Sequence, residues 1–492
     1  MSTTNSSSRS ISSYATAGEL ASAVRAKQIS ATELLELTFQ RIERENPKLT
    51  AVVWEFREDA MARAKQADEA LAKGRAPGAL HGVPVTIKES FAYRGSPNTW
   101  GLPPLKDARS PRTAVAVERL ESAGAITIGK TNVPVMLGDW QSYNPIYGTT
   151  NNPWDLSRTP GGSTGGGAAA IAAGLGALTL GSDLNGSTRI PAHFCGVYGH
   201  KPSLELISTA GFQPGPWDGS PGYPMDLSVI GVMARSARDL SLALNVLGGP
   251  NRDEAKAWTW RMPAPRHSRI ADFRIGFVPD DDSVDVAPLT ADVRALYDQT
   301  LAALRKAGAR LDQGWPAGID PRKQMSTFGY LLGALLTADM DPSERERARA
   351  RFAKNPHDVF AAAAVEPHGR WLHETQKRLQ CRALWQQYFE THDVFLLPVT
   401  VTAAFPHDHS EPIHQRTIET GAGKRPYVEA IPYWTAPATL AGLPATVAPI
   451  GRTTSGLPVG IQIIAPMWED GTSIEFAELL AGVIGGFIPP SR

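Results

Sequence analysis

The sequence predicts an α/β fold built as one large domain, with a central β-sheet covered by helices on both faces. Short apolar, β-branched runs at 83–87 and 125–128 alternate with stretches of helical periodicity, a pattern typical of strands covered by helices. With 42% hydrophobic and 20% charged residues over 492 positions, the chain can bury a large core. No internal repeat and no Ser/Pro-rich linker divides it, which favours one domain over three small ones.

The elements follow in order from local signals. Thr16 with Glu19 and Ser30 with Glu33 have the spacing of capping boxes, so a helix is expected to start at each. The second helix has an apolar stripe and is expected to end before Pro47. Further helices are predicted at 56–73, 114–121 and 290–307, a mostly helical segment at 317–392, strands at 274–278, 394–398 and within 444–464, and a mobile Ser/Thr-rich tail at 1–14.

Charge and cysteine content exclude several classes of function. The 49 basic and 49 acidic residues give no net charge, which argues against a nucleic-acid surface and against a polybasic membrane patch. The only two cysteines, Cys195 and Cys381, cannot form a disulfide framework, so a reduced cytoplasmic location is expected. The charge-free runs at 159–182 and 430–451 are rich in Gly or Pro, which argues against membrane spans.

The densest chemical signal is a Gly/Ser-rich stretch, TPGGSTGGGAAA at 159–170, followed by GSDLNGSTRIPA at 181–192. Glycines around a hydroxyl residue let backbone N–H groups approach a ligand closely. A phosphate loop is excluded because the lysine of its motif is missing. Ser163 matches the GxSxG nucleophile elbow of an α/β-hydrolase esterase, but the residues before it are turn formers where the elbow needs a strand.

Several spaced motifs resemble the amidase signature family of serine hydrolases. They read GVPVTIKES at 82–90, GKTNVP at 129–134, YGTTNNPW at 147–154, then the Gly/Ser core, and GLPVGIQ at 456–462. The resemblance covers most of the chain from residue 15 onward, with core motifs over 80–235. It implies a single domain over 15–492 with a mixed, twisted sheet, and hydrolysis of a carboxylic amide without a cofactor or a metal.

Three positions match the family's Ser–cisSer–Lys triad. The resemblance implies that Ser187 is the nucleophile, Ser163 the bridging serine after a cis peptide bond, and Lys88 the base. A serine hydroxyl is a weak nucleophile that needs a base beside it. A lysine can act as that base when burial lowers its pKa, and Lys88 ends an apolar strand-like run. A hydroxyl can both accept and donate a hydrogen bond, so Ser163 could relay the proton.

The family's oxyanion hole would fall on the backbone N–H groups of Leu184, Asn185, Gly186 and Ser187. Asn185 departs from the family's usual glycine and could narrow the pocket. Thr164 replaces the usual second serine, and it is expected to keep a supporting hydrogen bond. Asp183 and Arg189, which flank the nucleophile, are interpreted as scaffold for the loop.

Aromatic side chains between and after these motifs suit a small apolar or aryl substrate. The residues predicted to bind substrate are Gly138, Trp140, Gly162, Thr164, Trp217 and Tyr433. The bond cleaved could also be that of an anilide, a carbamate (as in a urethanase) or an ester. The chain is expected to be a cytoplasmic enzyme, and it could form a homodimer.

Three alternatives stay open. The chain could be the glutamine-hydrolysing A subunit of a tRNA-dependent amidotransferase, which uses the same triad and works with partner proteins. A Ser-His-Asp triad with His193 is a further option, although this histidine is expected to pack beside Phe194. The third alternative is a metal site in the histidine-rich segment that contains His407, His409 and His414, although these residues lack a strong metal-ligand spacing.

Overall fold

Eleven strands of the described chain form one central sheet. The computed structural model describes residues 11–75, 77–222, 225–251, 253–281 and 283–491. Its strands, in chain order, are β1 Val52–Glu55, β2 Pro84–Lys88, β3 Ile126–Thr131, β4 Tyr143–Asn144, β5 Gly148–Thr149, β6 Leu178–Asp183, β7 Tyr198–Lys201, β8 Val229–Ala234, β9 Arg274–Phe277, β10 Arg310–Gln313, β11 Val394–Pro398, β12 Thr417–Thr420, β13 Gly423–Pro426, β14 Ala445–Arg452 and β15 Pro458–Ile464. The central sheet has the order β1-β3-β2-β6-β8-β7-β14-β15-β11-β9-β10.

The sheet is mixed, as predicted. Strands β3, β2 and β6 run parallel near one end, where the edge strand β1 pairs antiparallel with β3, and β11, β9 and β10 run parallel at the other end. The strands between them pair antiparallel. Because every residue of β2, β6, β7, β8 and β15 is buried, both faces of the centre must be covered.

The described part of the chain has fifteen helices, and several of them provide that cover. They are α1 Ala17–Arg25, α2 Ala31–Leu49, α3 Arg57–Ala72, α4 Val115–Ser122, α5 Gly165–Ala172, α6 Arg189–Cys195, α7 Ala237–Leu247, α8 Ala291–Lys306, α9 Pro321–Leu336, α10 Pro342–Lys354, α11 Val359–Val365, α12 His368–Tyr388, α13 Tyr427–Ala430, α14 Ala436–Ala441 and α15 Asp470–Ile484. Helix α5 packs on β2, β3 and β6, and α6 packs on β7, β14 and β15. The predicted α/β fold in a single domain is therefore confirmed, and segment 317–392 is helical as expected.

The predicted starts of the first two helices are confirmed, but one predicted end is wrong. Both capping boxes form, at Thr16 and at Ser30. Helix α2 was expected to end before Pro47, yet it continues to Leu49. Proline lies here in the last turn, where it removes a single backbone donor, and the extra turn buries the Leu49 side chain. The Thr50 N–H then closes the helix by donating to the Asn46 carbonyl.

The predicted tail at 1–14 lies mostly outside the described residues. Within residues 11–14, the Ser13 hydroxyl accepts a hydrogen bond from Arg41 at 2.6 Å, and the Tyr14 carbonyl accepts one from Arg235 at 3.1 Å. Ser13 and Tyr14 are thus held by the domain, although they fall within the predicted tail. No helix of the described chain has the length and apolar character needed to cross a bilayer.

Candidate active site

Lys88 is the last residue of β2, between β3 and β6. Its amine lies 2.7 Å from the Ser163 hydroxyl and 2.9 Å from the Ser182 hydroxyl, and the side chain is fully buried. Burial lowers the pKa of Lys88 from 10.5 to about 7, although the Asp183 carboxylate opposes this. The predicted base therefore has two hydroxyl neighbours and is partly neutral near pH 7.

Ser163 lies just before helix α5, and the Gly162–Ser163 peptide bond is cis. Gly162 has no room for a side chain, because a Cβ atom there would lie 2.5 Å from the Asp139 carbonyl oxygen and 2.6 Å from the Gln141 nitrogen. The backbone of 139–141 thus backs the turn that presents Ser163. Gly162 is thus required for this close packing, and its predicted substrate contact stays a prediction.

Ser187 lies in the loop between β6 and α6. Its carbonyl accepts a hydrogen bond from the Thr164 N–H at 3.1 Å, which ties the loop that carries the predicted nucleophile to the residue that follows Ser163. The Thr164 hydroxyl donates to the Ser182 carbonyl at 3.3 Å, so its expected supporting bond is present. Among the described residues, no hydrogen bond joins the Ser163 and Ser187 hydroxyls. Lys88 and Ser163 are in direct contact, and Ser187 is placed next to them through the backbone.

A buried ion pair shapes the loop around Ser187. The Asp183 carboxylate accepts from Arg189 at 2.8 Å and from the Gly186 N–H at 2.8 Å. Arg189 also donates to the Thr435 carbonyl and to the Gln462 side chain. Burial would raise the pKa of Asp183, but Arg189 and the loop N–H groups hold it at about 2. Both residues act as scaffold, as expected.

The four predicted oxyanion donors are not equivalent. The Gly186 N–H is engaged by Asp183, while the N–H groups of Leu184, Asn185 and Ser187 make no hydrogen bond within the described chain. Gly186 has φ +86°, and a Cβ there would clash with Ile190 and Thr435. The structure therefore leaves three of the four donors available, and it corrects the prediction for Gly186.

Asn185 carries a buried polar atom without a partner. Its carbonyl accepts from the Trp140 indole N–H at 2.8 Å, whereas its side-chain oxygen is buried with no hydrogen-bond partner among the described residues. Trp140 therefore lies at the site, as predicted, but its polar atom faces the protein backbone.

Two aromatic residues that were predicted to bind substrate are engaged elsewhere. The Tyr433 hydroxyl is buried and donates to Asp281 at 2.7 Å. Trp217 is buried, and its indole N–H donates to the Ser220 carbonyl at 2.8 Å. Gly138 is exposed in a turn, where its N–H donates to the Val135 carbonyl. None of these three contacts the triad through a hydrogen bond.

The histidines of the alternative sites make no hydrogen bond to Ser187 within the described chain. One ring nitrogen of His193 lies 3.1 Å from the Thr402 carbonyl, and the other contacts the Gly460 backbone. Burial lowers the pKa of His193 to about 4. His407 contacts the Asn151 side chain, and His409 stacks on Tyr143. The interpretation of Ser163 as a nucleophile elbow also fails, because no strand of the described chain leads into it.

Ser182 is a neighbour of the Lys88 amine that the sequence did not predict. It looks like an ordinary residue near the end of a strand. The register of the two strands indicates its position next to Lys88, since Ile87 of β2 pairs with Leu180 of the parallel strand β6. Lys88 is one residue further along β2, which brings its amine to the end of β6 where Ser182 lies.

Comparison with known proteins identifies similar chains. A family model described as Amidase matches residues 33–474. Indoleacetamide hydrolase of Bradyrhizobium diazoefficiens is 32% identical, with 95% of this chain and 86% of that protein covered. The A subunit of the glutamyl-tRNA(Gln) amidotransferase from Carboxydothermus hydrogenoformans is 31% identical (94% and 96% covered), as is an acylamidase of Rhodococcus erythropolis (94% of each covered).

Solved structures with a similar fold are also found. A chain from a vestigial complex related to the origins of an s-triazine catabolic enzyme has a TM-score of 0.78 at 28% identity, covering 95% of this chain and 98% of that one. A 6-aminohexanoate cyclic dimer hydrolase has a TM-score of 0.74 at 25% identity, covering 96% and 98%.

Proposed function

The chain belongs to the amidase signature family and is an amide-hydrolysing enzyme, and from this premise we propose that it works through a Ser187–Ser163–Lys88 relay and an acyl-enzyme. The observation that carries the proposal is the buried Lys88 amine, 2.7 Å from the Ser163 hydroxyl. The backbone bond between Thr164 and Ser187 keeps the nucleophile beside this pair.

Acylation begins with Lys88 neutral. Its pKa of about 7 leaves a substantial unprotonated fraction at neutral pH. Rotation of the Ser187 side chain brings its hydroxyl to Ser163, a closure that catalytic groups often complete only with substrate bound. Ser187 Oγ attacks the amide carbon, its proton passes to Ser163 Oγ, and the Ser163 proton passes to Lys88 Nζ.

The negative oxygen that forms is held by backbone N–H groups. The unpaired donors of Leu184, Asn185 and Ser187 are the groups proposed for this role. The C–N bond then breaks, and the leaving amine takes the proton back from Lys88 through Ser163. Water attacks the acyl-Ser187 ester in the same way, which frees the carboxylic acid and restores the Ser187 hydroxyl.

The proposed substrate is a small amide with an apolar or aryl acyl group. The names of two relatives, an indoleacetamide hydrolase and an acylamidase, support this class. Trp140 at the nucleophile loop and the exposed Val135 and Met136 nearby in the chain supply apolar surface. Carbamates and esters present the same carbonyl carbon and are proposed as secondary substrates, and the enzyme is proposed to act in the cytoplasm as a homodimer.

A second candidate function is that of an amidotransferase A subunit. Curated relatives with that name are as similar as the amidases, at 31% identity. The two functions differ in what the isolated chain does. A free-standing amidase hydrolyses aryl amides alone, whereas a member of such a complex would favour glutamine and depend on its partner proteins.

The test compares Ser187→Ala with a serine control. The purified chain is assayed on amides, anilides, carbamates, esters and glutamine, and its labelling by a fluorophosphonate probe is measured. Ser187→Ala should abolish both hydrolysis and labelling. Ser208→Ala is the matched control, since Ser208 and Ser187 are each 8% exposed, and it should retain both. Hydrolysis that survives in Ser187→Ala would show that another residue is the nucleophile.

A further inference from the structure

The peptide that joins Asn185 to Gly186 is held at both ends. Its carbonyl accepts a hydrogen bond from the Trp140 indole N–H at 2.8 Å. Its N–H donates to the Asp183 carboxylate, also at 2.8 Å. Because a peptide unit is planar, two opposed hydrogen bonds fix the orientation of the whole plane. The unpaired N–H groups of Asn185 and Ser187 belong to the peptides on either side, so their directions depend on this plane.

Trp140 is itself held in place by a distant part of the chain. The carboxylate of its neighbour Asp139 accepts from Arg416 at 2.6 Å and from the Tyr427 hydroxyl at 2.7 Å. Its other neighbour, Gln141, exchanges two hydrogen bonds with the Asp408 backbone. The Trp140 ring packs edge-on against Tyr427, with 5.5 Å between ring centroids.

This arrangement makes the indole N–H a fixed support. Arg416 and Asp139 are both buried, so their ion pair is screened little by solvent. The same segment, 139–141, also backs Gly162 in front of Ser163. One rigid segment therefore touches both serine loops from outside the triad.

We propose that Trp140 is a positioning residue, which aims the oxyanion donors of the 184–187 loop through its bond to the Asn185 carbonyl. This inference rests on the proposed function of Ser187. Donors that are oriented before the reaction stabilise the transition state without reorganisation, so Trp140 acts on kcat. The role differs from the substrate contact that the sequence predicts for this residue.

The test is Trp140→Phe, which removes the N–H donor and keeps an aromatic ring. Loss of one oxyanion donor costs about 100- to 1000-fold in kcat, so loosening the loop should lower kcat about 10- to 100-fold, with KM changed less than about threefold. A trifluoromethyl ketone that mimics the acyl group forms a tetrahedral adduct with the serine. Its affinity should fall by the same factor as kcat/KM.

Trp154→Phe is the matched control. The Trp154 indole N–H donates to the Cys195 carbonyl at 2.9 Å, at the far end of helix α6, which starts just after Ser187. This variant removes the same kind of bond, from an indole N–H to a backbone carbonyl, at the end of α6 that lies away from the 184–187 loop. Its kcat should stay within about twofold of the wild type, which separates loop orientation from general damage.

A second variant guards against misfolding. A benzothiophene analogue of tryptophan at position 140 replaces only the indole N–H by sulfur, and it should reproduce the kcat loss with an unchanged melting temperature. A raised KM with normal kcat would show that Trp140 contacts substrate, and unchanged ketone affinity would exclude the oxyanion role. Either result overturns the inference without touching the proposed function, which fails separately if Ser187→Ala stays active.

Discussion

Replacing Lys88 by Met should inactivate the enzyme and make the protein more stable at pH 7. The Lys88 amine is fully buried, and its pKa falls from 10.5 to about 7 because burial disfavours the charge. The charged Lys88 amine is therefore less stable in the folded protein than in the unfolded chain, where water solvates it. Methionine has a similar length and no charge, so it removes this conflict.

The size of the effect follows from the pKa. A fall from 10.5 to about 7 corresponds to about 5 kcal/mol of destabilisation at pH 7, at about 1.4 kcal/mol per pKa unit. The Ser163 and Ser182 hydroxyls each lose a buried partner, at a cost of about 1 kcal/mol apiece. The net gain in free energy of unfolding is about 3 kcal/mol, or about 3 °C in melting temperature for a chain of this size.

The stability difference between Lys88→Met and the wild type should depend on pH. Between pH 7 and 10.5 the unfolded chain binds the Lys88 proton and the folded protein does not, so wild-type stability rises with pH. Below pH 7 the destabilisation is fully present. Lys88→Met lacks this titration, so its advantage of about 3 kcal/mol should vanish or slightly reverse by pH 10. Titrations shared by the two proteins cancel in the difference.

The assay measures melting temperature by intrinsic fluorescence at pH 7 and pH 10, together with amide hydrolysis. Lys130→Met is the contrasting control. Lys130 is also buried with a pKa lowered to about 8, but its charge compensates the buried Glu89, so its loss should destabilise the protein at pH 7. A Lys88→Met protein that is less stable than wild type at pH 7, or a stability difference that does not depend on pH, would contradict this prediction.

Two further predictions concern neighbours of the site. Ser182→Ala removes a hydroxyl that accepts a hydrogen bond from Lys88 at 2.9 Å and stabilises the charged form of the amine. The acidic limb of the pH profile of kcat/KM should therefore move to lower pH, and kcat should fall by up to about tenfold. An acidic limb that does not move would contradict a role for the Lys88–Ser182 hydrogen bond. Tyr433→Phe removes the 2.7 Å bond to Asp281 and should cost about 1–2 kcal/mol of stability in a denaturation experiment, while an increase in KM would restore Tyr433 as a substrate contact.

Local signals predicted the elements well because their causes are local. A capping box is formed by residues three positions apart, and the apolar runs that became β2 and β3 are buried on both faces. The helix end predicted at Pro47 was wrong because the free-energy cost of a proline depends on its distance from the end of the helix. That end is set by the burial of Leu49 in the tertiary fold. The pairing of Lys88 with Ser163 came from the family resemblance, since 75 residues separate them.

The aromatic residues show what composition cannot predict. Tyr433 was predicted to bind substrate, but its hydroxyl donates a hydrogen bond to Asp281, which lies 152 positions earlier in the chain. Trp140 lies near the site as predicted, but its indole N–H donates to the Asn185 carbonyl, a bond that the sequence did not predict. Its support depends on Asp139 and Arg416, which lie 277 positions apart, and no local pattern indicates that bond.

A lowered pKa alone does not identify the base. Lys201 is as buried as Lys88, and burial likewise lowers its pKa to about 7. Its amine donates to the Pro202 carbonyl at 2.8 Å, an oxygen that has no proton to give. Lys88 instead lies next to two hydroxyls, one of them beside the nucleophile loop. The two lysines are equally able to be neutral at pH 7, but of the two Lys88 alone lies beside hydroxyls that can give it a proton. Geometry therefore favours Lys88 as the proposed base where the pKa does not distinguish the two lysines.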